Sequence, residues 1–156
     1  MRTRRRGDNA GMAGDDSRAQ VQLDEDTLAR RRRELGEDHP DTLTAASNLA
    51  VSLRTAGDYQ AARELGEDTL ARRRRVLGDD HPDTLTSAYI LAAKLSEQGD
   101  YQAARELTED TLARRRRVLG DDHPDTGASA AFAFFLRTPR LLLKTISWAS
   151  RRRRAG

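Results

Sequence analysis

Three histidines, His39, His81 and His123, are the only imidazoles in the sequence. Imidazole is the side chain whose ordinary titration range lies nearest neutral pH, so these are the candidate general bases. Each stands in the same local sequence, Asp-His-Pro-Asp-Thr, 42 residues from the next. Packed helices lie about 8–10 Å apart, whereas a zinc–nitrogen bond is about 2.1 Å. One ion therefore does not bridge histidines of successive units. No serine or threonine is coupled to a histidine by a recognisable nucleophile motif, and no G-x-x-x-x-G-K-[ST] phosphate loop occurs. The histidine and aspartate suit the start of a helix, where they satisfy free backbone amides.

The carboxylate pairs Glu25-Asp26, Glu67-Asp68 and Glu109-Asp110 are the other candidates for acid–base work. Asp26, Asp68 and Asp110 fall four residues before Arg30, Arg72 and Arg114, the favoured spacing for helical ion pairs, so surface charge pairing is expected. Tracts of four arginines (Arg30 to Arg33, Arg72 to Arg75, Arg114 to Arg117) recur at the same period and could follow a phosphate backbone. Four consecutive helical residues point to all sides, however, and acids flank every tract. Arginines near a helix C-terminus also complement its dipole, so the tracts read as solvated helix ends and nucleic-acid binding as the weaker alternative. The chain is thus expected to have no catalytic residue, no metal site and no cofactor.

The elements that carry these residues come from a repeat. Gly57 to Thr84 and Gly99 to Thr126 differ only at Gly66 versus Thr108, and a third copy, lacking its beginning, starts at Gln20. A fixed period of 42 residues is the mark of stacked supersecondary units. Pro40 and Pro82 fit the first turn of a helix, followed by Asp41 and Asp83 at its positive end. Leu43, Ala46, Leu49, Ala50 and Leu53 then recur at three- and four-residue spacing, as do Leu85, Ala88, Leu91, Ala92 and Leu95. Gly57-Asp58 and Gly99-Asp100 end these helices. Second helices start near Tyr59 and Tyr101; Ala62, Leu65, Leu70 and Val76, or Ala104, Leu107, Leu112 and Val118, are their expected apolar residues. Each period is a helix–turn–helix hairpin, and the fold class is all-α, an α-solenoid.

The order Leu49-Ala50, Leu53, Gly57-x-Tyr59-x-x-Ala62, Leu70 resembles the tetratricopeptide repeat. The LGxDHPDT linker and the period are similar to the kinesin light chain variety, also common in bacterial proteins. The resemblance runs from about Gln20 to Thr126 and departs from the pattern at Asp24, Gly66 and Thr108, where a large residue is usual. It implies looser packing there, and a concave surface along which a protein or peptide partner lies. The partner-binding positions it implies are Thr44, Ser47, Asn48, Val51 and Arg54 in one unit and Thr86, Tyr89, Ile90, Ala93 and Glu97 in the next. Asn48 matches an asparagine that hydrogen-bonds a peptide backbone in such repeats; Ile90 replaces it.

The whole composition agrees with thin helical layers. The 156 residues are 37% hydrophobic and 4% aromatic, without cysteine, at a net charge of +3. The absence of cysteine excludes disulfides and thiolate sites. The best apolar run, Ala128 to Leu136, is too short to span a membrane, and no secretory signal follows the basic start. A cytoplasmic location is expected. Residues 1–18 read as a disordered basic segment. Residues 19–38 form a half unit, and 39–80 and 81–122 full units, within a repeat region of 19–126.

The remaining segment, 127–156, holds seven basic and no acidic residues, all three phenylalanines and the only tryptophan, whereas the preceding residues hold 21 basic and 25 acidic. Two readings stand for it: a terminal cap, with Ala128 to Arg137 as the next first helix broken by Pro139, or an out-of-frame or truncated end of a longer array. A non-functional remnant is a third functional alternative. Because such units bury their apolar faces only against neighbours, self-association through open repeat ends, or membership of a larger array, is also expected.

Overall fold

The computed structural model describes the backbone of residues 8–138 and the side chains of residues 15–138. The segments 1–7 and 139–156, and with them Pro139, Trp148 and Arg151 to Arg154, lie outside the described residues. Six helices follow one another: α1 (Asp8–Leu35), α2 (Pro40–Thr55), α3 (Tyr59–Leu77), α4 (Pro82–Glu97), α5 (Tyr101–Leu119) and α6 (Pro124–Arg137). Among the described residues there is no strand, and no helix is long and apolar enough to cross a membrane. Helix α1 reaches back to Asp8, into the stretch that composition assigns to disorder. Ala10, Met12, Ala13 and Ala19 are strong helix formers, and lengthening a helix costs less than starting one.

The ends of the helices follow from side chains that supply what the backbone lacks. His39 caps α2: its Nδ1 accepts from the Asp41 amide at 3.1 Å, and Pro40 takes the first helical position. His81 and His123 accept from Asp83 and Asp125 in the same way, at 3.1 and 3.2 Å. Gly57 closes α2 with φ of 90°, which lets the Asp58 amide reach back to the Leu53 carbonyl at 2.9 Å. Asp58 then caps α3 by accepting from the Ala61 amide at 3.1 Å. Helix α6 ends at Arg137, and Thr138 leaves the helical conformation, as a residue preceding a proline tends to do.

The described chain falls into two compact units that divide between Ser87 and Ala88, inside α4. In the first unit, Leu28 of α1 packs with Ala45, Ala46 and Leu49 of α2, flanked by Val21, Leu53 and Leu65. In the second, Ala88, Leu91, Ala92 and Leu95 of α4, Ala104 and Leu112 of α5, and Ala133 and Leu136 of α6 are buried. Leucine and alanine at helical spacing thus carry the packing, as expected. Val76 and Val118 do not: both are exposed at the surface. The buried stripe of α3 runs through Ala62, Thr69, Leu70 and Arg73, and that of α5 through Ala104, Thr108, Thr111, Leu112 and Arg115. Three residues on from Leu70 comes Arg73; Val76, six residues on, has rotated off that face.

Candidate functional site

The arginine tracts do not behave as uniformly solvated ends. Arg73 and Arg115 are buried, at 6% and 3% exposure. Arg73 donates to the carbonyl of Asp83 at 3.1 Å, to the hydroxyl of Ser87, and to Thr44 Oγ1 at 3.4 Å. Arg115 repeats the arrangement in the second unit, donating to the Asp125 carbonyl at 2.9 Å and to Ser129 Oγ at 3.0 Å. Burial pushes the Arg73 guanidinium down from the ordinary arginine pKa, partly opposed by the charge of Asp83. A sequence signal existed: Ser87 and Ser129 stand the same distance after their arginines, one turn into the next helix. The counterpart of Arg73 in the first copy is Arg31, but the counterpart of Ser87 there is Ala45. Arg31 consequently turns to the Asp41 carboxylate at 3.1 Å and keeps 39% of its side chain exposed.

The other members of the middle tract are engaged at the surface. Arg72 meets Glu37 at 2.7 Å, Asp38 at 3.1 Å and Asp68 at 2.8 Å, and Arg75 meets Asp38 at 2.6 Å. The Arg75 hydrogen bond, with help from Arg72, holds the Asp38 carboxyl below the usual carboxylate range against a smaller opposing desolvation. Arg72 is pushed above the ordinary arginine value, chiefly by its hydrogen bond to Asp68. Of the three expected helical ion pairs, Asp68–Arg72 and Asp110–Arg114 form, at 2.8 and 2.9 Å. Asp26 instead accepts from Gln22 at 3.3 Å. Gln22 supplies a donor where the later copies carry Glu64 and Glu106, which cannot compete for the aspartate.

The partner-binding positions divide between the two units. Thr44, Ser47, Asn48, Val51 and Arg54 lie on α2, with Thr44, Asn48 and Val51 exposed and Ser47 and Arg54 half-buried. Thr44 donates to the Pro40 carbonyl and Ser47 to the Leu43 carbonyl, each one turn back. Asn48 makes no hydrogen bond to any described residue through its carboxamide. It lines a cleft of about 200 Å³ between α1 and α2, together with Asp24, Thr27, Arg31, Asp41 and Thr44.

Thr86 is exposed on the first-unit part of α4, and Tyr89, Ile90, Ala93 and Glu97 lie on its second-unit part, with only Glu97 exposed. Tyr89 is not a loose surface ring. Phe132 meets it edge-on at 5.8 Å between centroids, and the Arg115 guanidinium covers its face at 5.3 Å. Phe132 also stacks on Phe135. Phe132 is the counterpart of Asn48 and Ile90, so one repeat position is amide, aliphatic and aromatic in turn. The three histidines sit in separate loops as helix caps, and among the described residues no three His, Asp or Glu side chains gather to hold a metal ion.

Hairpins of this length, capped and spaced in this way, can be compared with known families. The tetratricopeptide repeat model matches residues 19–41, 42–83 and 84–125. The chain belongs to the tetratricopeptide repeat family. Among solved structures it is similar to a putative kinesin light chain of Podosopora anserina with nearly identical tetratricopeptide-like repeats. That likeness has a TM-score of 0.74 at 27% identity and covers 87% of this chain. The chain spans 65% of the length of that protein. A glutamine-to-methionine variant of the same protein superposes with a TM-score of 0.72 at 24% identity, over 92% of this chain and 72% of the other. No curated protein matches the sequence. Tetratricopeptide repeats are in general protein-interaction scaffolds and typically lack catalytic chemistry.

Proposed function

We propose that this tetratricopeptide repeat chain is a non-catalytic, cytoplasmic scaffold that takes a peptide or protein partner along α2 and α4, the first helices of its repeats. The observation that carries this reading is Asn48. Its carboxamide is exposed on α2, beside a polar cleft, with no hydrogen bond to any described residue. An amide offers a donor and an acceptor to an extended backbone at once. Thr44, Val51, Thr86 and Glu97 are the other exposed candidates; Tyr89 serves by shaping the surface through Phe132 and Arg115 rather than by reaching out.

A peptide-display selection on the full chain tests the proposal. Peptides should emerge whose affinity falls about tenfold with Asn48→Ala or Val51→Glu, because an interfacial hydrogen bond or apolar contact is worth about 1.4 kcal/mol. Both variants should melt like the parent. A selection that yields only peptides indifferent to both substitutions refutes the groove.

The preference for a protein partner over nucleic acid rests on the engagement of Arg72, Arg73, Arg75 and Arg115, which already meet carboxylates, carbonyls and hydroxyls of the chain itself. Phosphate binding would weaken log-linearly with salt, and binding governed by Asn48 would not. Self-association would proceed through Leu23 of α1, 59% exposed, and Phe134 of α6, 67% exposed. Sedimentation over a range of concentrations reads it out. The alternatives for 127–156, cap or out-of-frame end, are separated by peptide mapping of the natural protein.

A further inference from the structure

The cleft between α1 and α2 arises where the first copy departs from the others at Asn48 and at two further positions. Asp24 stands where Gly66 and Thr108 stand later, and Ala45 where Ser87 and Ser129 stand. In the second unit the equivalent positions are closed: Thr108 and Ser129 are fully buried, and Arg115 is tied to Ser129 and the Asp125 carbonyl. In the first, Ala45 offers no hydroxyl, so Arg31 pairs with Asp41 and its charge is neutralised there. Asp24 is left without a cation. It is half-buried, and among the described residues its two oxygens accept only from neutral donors, Gln20 Nε2 at 3.1 Å and the Ser52 hydroxyl at 2.5 Å. Thr27 faces the same space, and unlike Thr69 and Thr111, which donate to carbonyls one turn back at 2.7 Å, it has no hydrogen bond to a described residue.

We infer that this cleft receives a cationic side chain, the lysine or arginine of a bound peptide, with Asp24 as its counter-charge and Asn48 and Thr27 as neutral partners. The inference rests on the peptide-binding reading and names the class of peptide. Among the lining side chains two carboxylates stand against one guanidinium. The nearby Arg73 guanidinium, which touches Thr44 at 3.4 Å, is committed to the Asp83 carbonyl and Ser87. An ammonium or guanidinium is therefore favoured beside Asp24 over a carboxylate. A cation there gains a charge-assisted hydrogen bond to Asp24 without displacing the Arg31–Asp41 pair. The volume of about 200 Å³ is ample for either side chain. Half-burial keeps desolvation of the incoming charge moderate.

The test is an NMR titration of the full chain with N-acetyl-lysine-methylamide and N-acetyl-arginine-methylamide, beside the norleucine and glutamate counterparts. The basic probes should shift Thr27, Thr44 and the Asn48 side-chain amide. Asp24→Asn keeps the acceptor for Ser52 and should weaken the basic probes about fivefold, and Arg31→Gln should tighten them by a similar factor. General damage to the fold would weaken both. Equal shifts from the norleucine or glutamate probe, or a change of the same sign in both variants, overturns the inference. Display-selected peptides that need Asn48 but carry no fixed lysine or arginine also overturn it, and leave the groove standing. If no selected peptide needs Asn48, the groove reading fails, and the probe titration still judges the cleft.

Discussion

Ser87→Ala transplants into the middle hairpin the side chain that the first copy already has at Ala45. In the parent, Arg73 is 6% exposed and donates to Ser87 and to the Asp83 carbonyl. A hydrogen bond to a charged donor contributes about 1.5–3 kcal/mol when buried. The variant keeps the carbonyl contact, and its guanidinium can swing to the Asp83 carboxylate, as Arg31 does to Asp41. Such a half-exposed ion pair returns about 0.5 kcal/mol. The net loss should therefore be about 1–2.5 kcal/mol. Urea unfolding followed by circular dichroism measures it, with Arg73→Met and the double variant completing a cycle. The cycle should give a coupling of about 1 kcal/mol, since residues in direct contact couple at that scale. A loss too small to measure, or additivity of the two single changes, would refute the claim that the serine holds the arginine in the core.

Two further outcomes follow from groups described above. The Asp38 carboxyl, held low by Arg75 and Arg72, contributes stability that is fully present above the ordinary carboxylate pKa and is lost as pH falls through its own lower one. Its NMR titration should move up in Arg75→Gln, and an unmoved curve would show that Arg75 is not the cause. His81→Ala removes the acceptor for the Asp83 amide and should cost about 1 kcal/mol, largely restored by asparagine at the same position, as chemical denaturation would show.

Much of the architecture is legible in the sequence because proline, glycine and leucine act locally. Pro40, Gly57 and the Leu43–Leu53 spacing fix where α2 begins, ends and packs, and those constraints need no knowledge of distant residues. The role of Arg73 cannot be found that way. Hydropathy ranks arginine as solvated, and burial is made tolerable by acceptors that lie across a loop, the Asp83 carbonyl and Ser87, so hydropathy alone points to Val76 instead. The surroundings of Tyr89 are hidden from the sequence for a related reason: its partners Phe132 and Arg115 come from later helices. The α1–α2 cleft is foreshadowed by Asp24 among the departures from the repeat pattern. Its meaning depends on Ala45, a change too conservative to attract notice.

The sameness of α3 and α5 has a cost during folding. Apart from Gly66 and Thr108, a nascent α2 meets two interchangeable mates, and no side chain tells it which to choose. What decides is tether length. The short connection through Ala56, Gly57 and Asp58 keeps α3 at high effective concentration, so the adjoining copy closes first. Fidelity of assembly is thus vested in a bend of the backbone, and lengthening that bend would let neighbouring copies exchange partners.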